Sequence, residues 1–213
     1  MPGKVTVLKH PVVNSRLADL RQAGTSPKEF RQGIHDISTI LAIEATRDLE
    51  EEPVSGLSPV GPFIGSIIKP KIGLTPVLRA GLGMTDALLT IFPNAPVYHL
   101  GIFREKVTLQ PVEYYSKLPS NPTIDMIYLL DPLIATGGTA VAAVHMITEW
   151  GVPVTKIRLL SILASEAGLK NVGEQFPELE VWVAAVDNQL TSNGLILPGL
   201  GDAGDRLFST LKE

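Results

Sequence analysis

Residues 127–139 constrain what this chain can fold into more than any other stretch, because a buried-strand signal runs directly into a glycine-rich turn that opens a helix. Ile127, Tyr128, Leu129 and Leu130 form a continuous apolar run, the pattern of a central parallel strand covered on both faces. Asp131 stands at its carboxyl end, and Thr136, Gly137, Gly138 and Thr139 lead at once into the helical pattern AVAAVHMITEW. Backbone N–H groups and two hydroxyls therefore converge at a helix N-terminus, where aligned peptide dipoles place roughly +0.5 of a charge. A phosphate monoester, carrying about −1.5 to −2, suits such a turn. The glycines let the backbone approach it without a Cβ in the way. No Gly-Lys-Ser/Thr follows at the spacing of a Walker loop, so nucleoside triphosphate hydrolysis is not expected.

From Ile72 onward, strand and helix patterns alternate. Strands are predicted near residues 72–78, 97–103, 124–130, 157–163 and 181–186, and helices near 82–92, 138–150 and 165–176. Successive βαβ units require a parallel sheet, whose ligands bind beyond the carboxyl ends of the strands. Two more strand ends matter for that reason. Arg79 leaves the first strand just ahead of Gly81 and Gly83, so a fixed guanidinium fork and free N–H groups can form a second anion site. Arg104 ends the second strand in GIFRE, and the following passage, residues 105–122, has no periodic pattern and the length of a lid loop.

Ahead of the alternation, a strand-like VTVL precedes a modest helix over residues 12–22. Ser26, Pro27 and Glu29 then mark a helix start with a capping box. Phe30, Ile34, Ile37, Leu41 and Ala45 carry one buried face of that helix to about Glu51. Residues 53–69 are rich in Gly, Pro and Ser yet hold Val60, Phe63, Ile64, Ile67 and Ile68, which reads as a projecting β-hairpin arm. Its apolar residues either meet another copy of the chain or pack onto their own core. The tail, residues 187–213, contains GLILPGLGDAGDRLF. Gly199, Gly201 and Gly204 satisfy G-x-G-x-x-G literally, but too few residues follow to complete a βαβ unit, so dinucleotide binding is not expected. The tail reads as an irregular loop presenting main-chain groups to a small flat ligand, with Asp205 capping a last short helix.

At 213 residues and 45% hydrophobic, the chain is most economically one domain, residues 1–213, with an ample core. The absence of cysteine excludes disulfides and thiolate metal sites, and the four histidines show no ligand pairing. Any metal is then a hard ion such as Mg²⁺, held by carboxylates and by the substrate's own phosphates. Apolar runs fall short of the ~20 residues that cross a bilayer, and the N-terminus lacks a signal peptide's apolar core, so a cytoplasmic location is expected. A net charge of −4 with dispersed Lys and Arg argues against a nucleic-acid surface.

The apolar run, the aspartate and ATGGT together resemble the phosphoribosyl pyrophosphate (PRPP) signature of type I phosphoribosyltransferases. With LRAGLG, GIFRE, DPLIATGGT and LPGLGDAGD in this order, essentially the whole chain resembles uracil phosphoribosyltransferase, and PGLGDAGD is the part that points to uracil. The resemblance implies an α/β fold, a doubly wound parallel sheet with a C-terminal hood over the base. It implies transfer of the phosphoribosyl group of PRPP to N1 of uracil, giving UMP and pyrophosphate, with Mg²⁺ as cofactor. By the same resemblance, Asp131, Pro132, Leu133, Ile134, Ala135, Thr136, Gly137, Gly138 and Thr139 cradle the 5′-phosphate and ribose, while Arg79 and Arg104 hold the pyrophosphate. Ile196, Gly201, Asp202 and Ala203 contact uracil, and Asp202 also faces PRPP. Arg79, Arg104, Asp131 and Asp202 are thereby the implied catalytic set. The apolar residues of the 53–69 arm point to a homodimer or higher homo-oligomer, and activation by a nucleoside triphosphate such as GTP stays open. Many phosphoribosyltransferases carry an acidic pair where this chain has Asp131 and Pro132, but the uracil branch shares the Asp-Pro form. Two other readings remain: a phosphoribosyltransferase-like regulator that binds RNA, opposed by the acidic charge balance, and a purine phosphoribosyltransferase, opposed by the Asp-Pro form and the glycine-dense tail.

Overall fold

The computed structural model describes residues 4–104, 111–116 and 118–210, with the side chains of residues 103, 104, 111 and 113 outside that description. In chain order the first elements are β1 (Lys4–Val7), α1 (Pro11–Arg21), α2 (Pro27–Glu44) and a hairpin of β2 (Glu51–Ser58) and β3 (Gly61–Ile68). The alternating part follows with β4 (Ile72–Leu78), α3 (Leu82–Ile91), β5 (Leu100–Arg104), β6 (Pro111–Ser116), β7 (Met126–Leu130), β8 (Leu133–Ile134) and α4 (Gly138–Trp150). Then come β9 (Ile157–Ser165), α5 (Glu166–Gln175), β10 (Glu180–Asp187), the ribbon of β11 (Gln189–Leu190) and β12 (Ile196–Leu197), and α6 (Ala203–Phe208).

Continuous apolar runs become the middle of the sheet. Every residue of β7 and β9 is buried, and neighbouring residues serve opposite faces. Tyr128 and Leu130 join a core with α1, α2, α3 and α6, whereas Ile127 and Leu129 join a second core with α4 and α5. The result is three layers, with a sheet ordered β1-β10-β9-β7-β4-β5-β6 and β8 pairing β9. All these pairings are parallel except β5 with β6. Taken in chain order, β4, β5, β7, β9 and β10 lie as 2-1-3-4-5, the doubly wound arrangement whose order reverses between its first and third strands. That reversal falls between β4 and β7. No helix among the described residues is long and apolar enough to cross a membrane.

Three expectations need correction. The second helix stops at Glu44 and not near Glu51, because the sheet seizes its end: the Tyr128 hydroxyl and the Arg158 guanidinium both donate to the Ala45 carbonyl, and Arg158 pairs with Asp48 at 2.6 Å and Glu180 at 2.8 Å. Burial pushes the Tyr128 phenol up to about 12, which keeps it a neutral donor. The passage expected to be an aperiodic lid is in part a strand, since residues 111–116 pair antiparallel with β5; residues 105–110 and Lys117 lie outside the described residues. The last helix is capped by Asp202, whose side chain accepts the Asp205 N–H at 2.9 Å, with Asp205 inside the first turn.

Candidate active site

A cleft of about 530 Å³ opens beyond the carboxyl ends of β4 and β7, at the reversal of strand order. The turn after β4 contributes Arg79 and Ala80, and the turn after β7 contributes Asp131, Leu133 and Thr139. Ile102 and Tyr114 form a side wall from β5 and β6, and Asp202, Ala203 and Gly204 close the cleft from the tail.

The Arg79 turn lies flat against the sheet because Gly81 has no side chain: a Cβ there would stand 2.6 Å from the Val77 nitrogen and collide with the Leu130 carbonyl. The Leu78–Arg79 peptide is cis. Arg79 is half exposed and donates to Asp205 Oδ1 at 3.0 Å and Thr210 Oγ at 3.2 Å, with its guanidinium 5.9 Å from the Phe208 ring centre. A cation aimed at the cleft is thus held by the tail.

The turn before α4 is braced from behind by α5. Ser165 Oγ donates to the Ala135 carbonyl at 2.5 Å while accepting the Gly168 N–H, and Asn171 Nδ2 donates to the Thr136 carbonyl at 2.9 Å. A trans peptide sets each C=O antiparallel to the next N–H, so drawing these carbonyls toward α5 aims the N–H groups of Thr136 and Gly137 the opposite way. Gly137 has φ +82° and no side-chain cap, which leaves the first turn of α4 open to an anion. A side chain at Gly137 would also strike Gly168, its Cβ 2.6 Å from that carbonyl oxygen.

Of the residues singled out from the sequence, Arg79, Asp131, Leu133, Thr139, Asp202 and Ala203 converge on the cleft. Pro132 instead accepts the Ile162 and Leu163 N–H groups, Ile134 is buried beside β9, and Ala135 and Thr136 face α5 with their carbonyls. Gly138 is the first residue of α4. Ile196 is buried, and Gly201, at φ +79°, leads into Asp202; neither is part of the cleft wall. Arg104 ends β5 with its main chain, and its guanidinium lies outside the described residues. Sequence reasoning missed Ser165 and Asn171, read only as part of a helix, and Tyr114. A signal for Tyr114 existed in Gly101, where a Cβ would come within 2.8 Å of the Tyr114 ring.

Among the described residues, no group of three or more His, Asp or Glu side chains could hold a metal. Two carboxylates beside a phosphate-sized turn suit a hard cation that arrives on a phosphorylated substrate better than a resident one.

The model of the family described as uracil phosphoribosyltransferase matches residues 7–210. The uracil phosphoribosyltransferase of Roseiflexus castenholzii is 45% identical over 207 residues, 97% of this chain and 99% of its own. Among solved structures, the AQ2163 protein from Aquifex aeolicus superposes with a TM-score of 0.91 at 33% identity, covering 98% of this chain and 100% of that one. The APRTase from Giardia lamblia complexed with 9-deazaadenine, at 15% identity and TM-score 0.53 over 81% of this chain and 86% of its own, shares the fold. A match that runs from residue 7 to residue 210, together with 45% identity along nearly the whole length, makes the membership plain: this chain belongs to the uracil phosphoribosyltransferase family.

Proposed function

We infer that this chain transfers the phosphoribosyl group of PRPP to N1 of uracil, giving UMP and pyrophosphate. One observation carries the reading: the arginine turn, the glycine-rich turn and the tail meet around a single cleft at the reversal of strand order. A phosphoribosyl transfer needs a receptor for the 5′-phosphate, one for the departing diphosphate and one for a flat base. The three segments supply those chemistries. In this reading residues 131–139 hold the 5′-phosphate and ribose, Arg79 and Arg104 hold the diphosphate, and Ile196 and Gly201 to Ala203 hold uracil.

The bond from the anomeric carbon to diphosphate breaks, the bond to N1 forms, and the N1 proton is lost. Positive charge grows on the sugar and negative charge on the leaving group, so cationic groups fixed at the diphosphate contribute most. Mg²⁺ brought in on PRPP supplies the remaining neutralisation when bound. Uracil is a weak nucleophile, and the residues over the base therefore act by orienting N1 toward the sugar and excluding water. Self-association through the hairpin belongs to the same proposal, supported by its exposed apolar residues: Leu57 is 81%, Val60 98% and Ile64 79% exposed. Activation by a nucleoside triphosphate such as GTP is read by adding it to the assay below.

The test is chromatographic detection of UMP from uracil, PRPP and Mg²⁺, followed by the ratio of kcat/KM for uracil and cytosine. Uracil offers acceptor, donor, acceptor along the edge where cytosine offers donor, acceptor, acceptor. Sites that read such patterns discriminate by roughly 10⁴ to 10⁵. A ratio below about tenfold would overturn the assignment of the tail to the base, since buried mismatched groups alone cost about 1 to 3 kcal/mol each.

A further inference from the structure

Behind the loop assigned to uracil lies an ion pair that is not part of the cleft wall. Asp187 is the last residue of β10 and is 9% exposed; Arg21 is the last residue of α1. Arg21 Nη2 donates to Asp187 Oδ1 at 2.7 Å, and Arg21 Nη1 donates to Asp187 Oδ2 at 2.7 Å. The same two groups grip one residue of the loop from both sides. Asp187 Oδ2 accepts the Gly199 N–H at 3.0 Å, and Arg21 Nη1 donates to the Gly199 carbonyl at 2.8 Å. Gly199 has φ +61°, and a Cβ there would collide with the Ile196 carbonyl. Both polar groups of its main chain are thereby committed, and the fork of one guanidinium fixes their direction.

A second arginine crosses the other way. Arg206 donates to the Leu200 carbonyl at 2.7 Å, to the Gln22 carbonyl at 2.6 Å and to the Leu20 carbonyl, with its guanidinium 4.2 Å from the centre of the Phe30 ring. The loop from Ile196 to Asp202 is therefore fastened on its outer side to the end of α1, through Gly199 and the Leu200 carbonyl. Burial alone would raise the Asp187 carboxyl, but the Arg21 hydrogen bonds, the Gly199 N–H and the Arg21 charge outweigh it and keep the group below the usual carboxylate range.

We propose that Arg21 and Asp187 are positioning residues for the base, setting the register of the uracil loop through Gly199 without touching uracil. The inference rests on the reading of Ile196 and Gly201 to Ala203 as base-binding. It predicts a defect confined to one substrate. A largely buried ion pair gains little net stability over an apolar pair of the same size, so its specific contribution is geometric.

The experiment compares the parent with Arg21→Lys and with Arg21→Met/Asp187→Leu, which removes both charges and leaves no carboxylate stranded. Steady-state KM and kcat are measured for uracil, and PRPP affinity by calorimetry. Lysine keeps the charge but cannot serve Asp187 and the Gly199 carbonyl with one planar fork. Both variants should raise the KM for uracil roughly 10- to 100-fold, the cost of a displaced binding loop, while PRPP affinity stays within about threefold of the parent. Restoration of the parental KM by Arg21→Lys would overturn the proposal, because charge alone would then suffice. An unchanged KM in the double variant, equal losses for both substrates, or failure of both variants to fold would do so too. A parent that makes no UMP from uracil would instead refute the functional reading, which separates the two failures.

Discussion

Arg79 shows how much a single residue's resting partners matter. Its guanidinium is shared between Asp205 and Thr210, so under the proposed function a diphosphate entering the cleft competes with a carboxylate of the chain itself. Arg79→Ala should lower kcat by about 10²- to 10³-fold, the usual cost of one group aimed at developing charge, with a smaller effect on uracil binding. Turnover within threefold of the parent would remove Arg79 from the mechanism. Asp205→Asn should act in the opposite direction on PRPP. The ion pair is partly exposed, at 50% and 32%, and such pairs are worth about 0.2–1 kcal/mol. Relieving the competition should therefore tighten PRPP binding by up to about fivefold in a calorimetric titration; weaker binding would mean that Asp205 positions Arg79 and does not compete for it.

At the scale of elements, the turn before α4 depends on a helix that follows it by more than twenty-five residues. Asn171→Ala removes the Asn171 hydrogen bond to the Thr136 carbonyl, and PRPP affinity should fall about fivefold, as expected for the loss of one hydrogen bond of ~1 kcal/mol behind the turn. Identical titration curves would show that α5 does not shape the turn. Local signals made the sheet strands, the capping box at Ser26 and the hairpin readable from sequence, because each depends on residues a few positions apart. The end of α2 was not readable, for its determinants are Tyr128 and Arg158, far away in sequence. For the same reason Arg79 and Asp131 could be found at strand ends, while Ser165 and Asn171, which brace the turn before α4, and Arg21, which holds Gly199, could not. The Arg158 contact also has a pH signature. Hydrogen bonds from Arg158, helped by its charge, hold the Asp48 carboxyl below its ordinary value against a smaller effect of burial. A depressed folded-state value contributes stability above the unfolded pKa of about 3.9 that is lost as pH falls through the folded value. Thermal melts from pH 6 to about pH 3 should show a shallower acid decline for Asp48→Asn than for the parent; superimposable curves would contradict this.

For the whole molecule, the hairpin and the tail have opposite relations to the core. The hairpin carries Val60 and Ile64 out into solvent, an arrangement that monomeric proteins rarely tolerate over a large area. Sedimentation at micromolar concentration should find the parent as a dimer or larger, and Val60→Asp/Ile64→Lys shifted toward monomer; a monomeric parent would refute the assignment of the arm to self-association. The tail, by contrast, is sewn to the beginning of the chain: Arg21 to Asp187, Arg206 to Leu20 and Gln22, and Arg31 to the Leu207 carbonyl. Translation delivers residues in one direction, so the turns at residues 79–81 and 131–139 leave the ribosome before the tail groups that α1 will fasten. A polypeptide cut short after β10 therefore carries the turns to which the proposed function gives the phosphates and lacks the loop to which it gives the base.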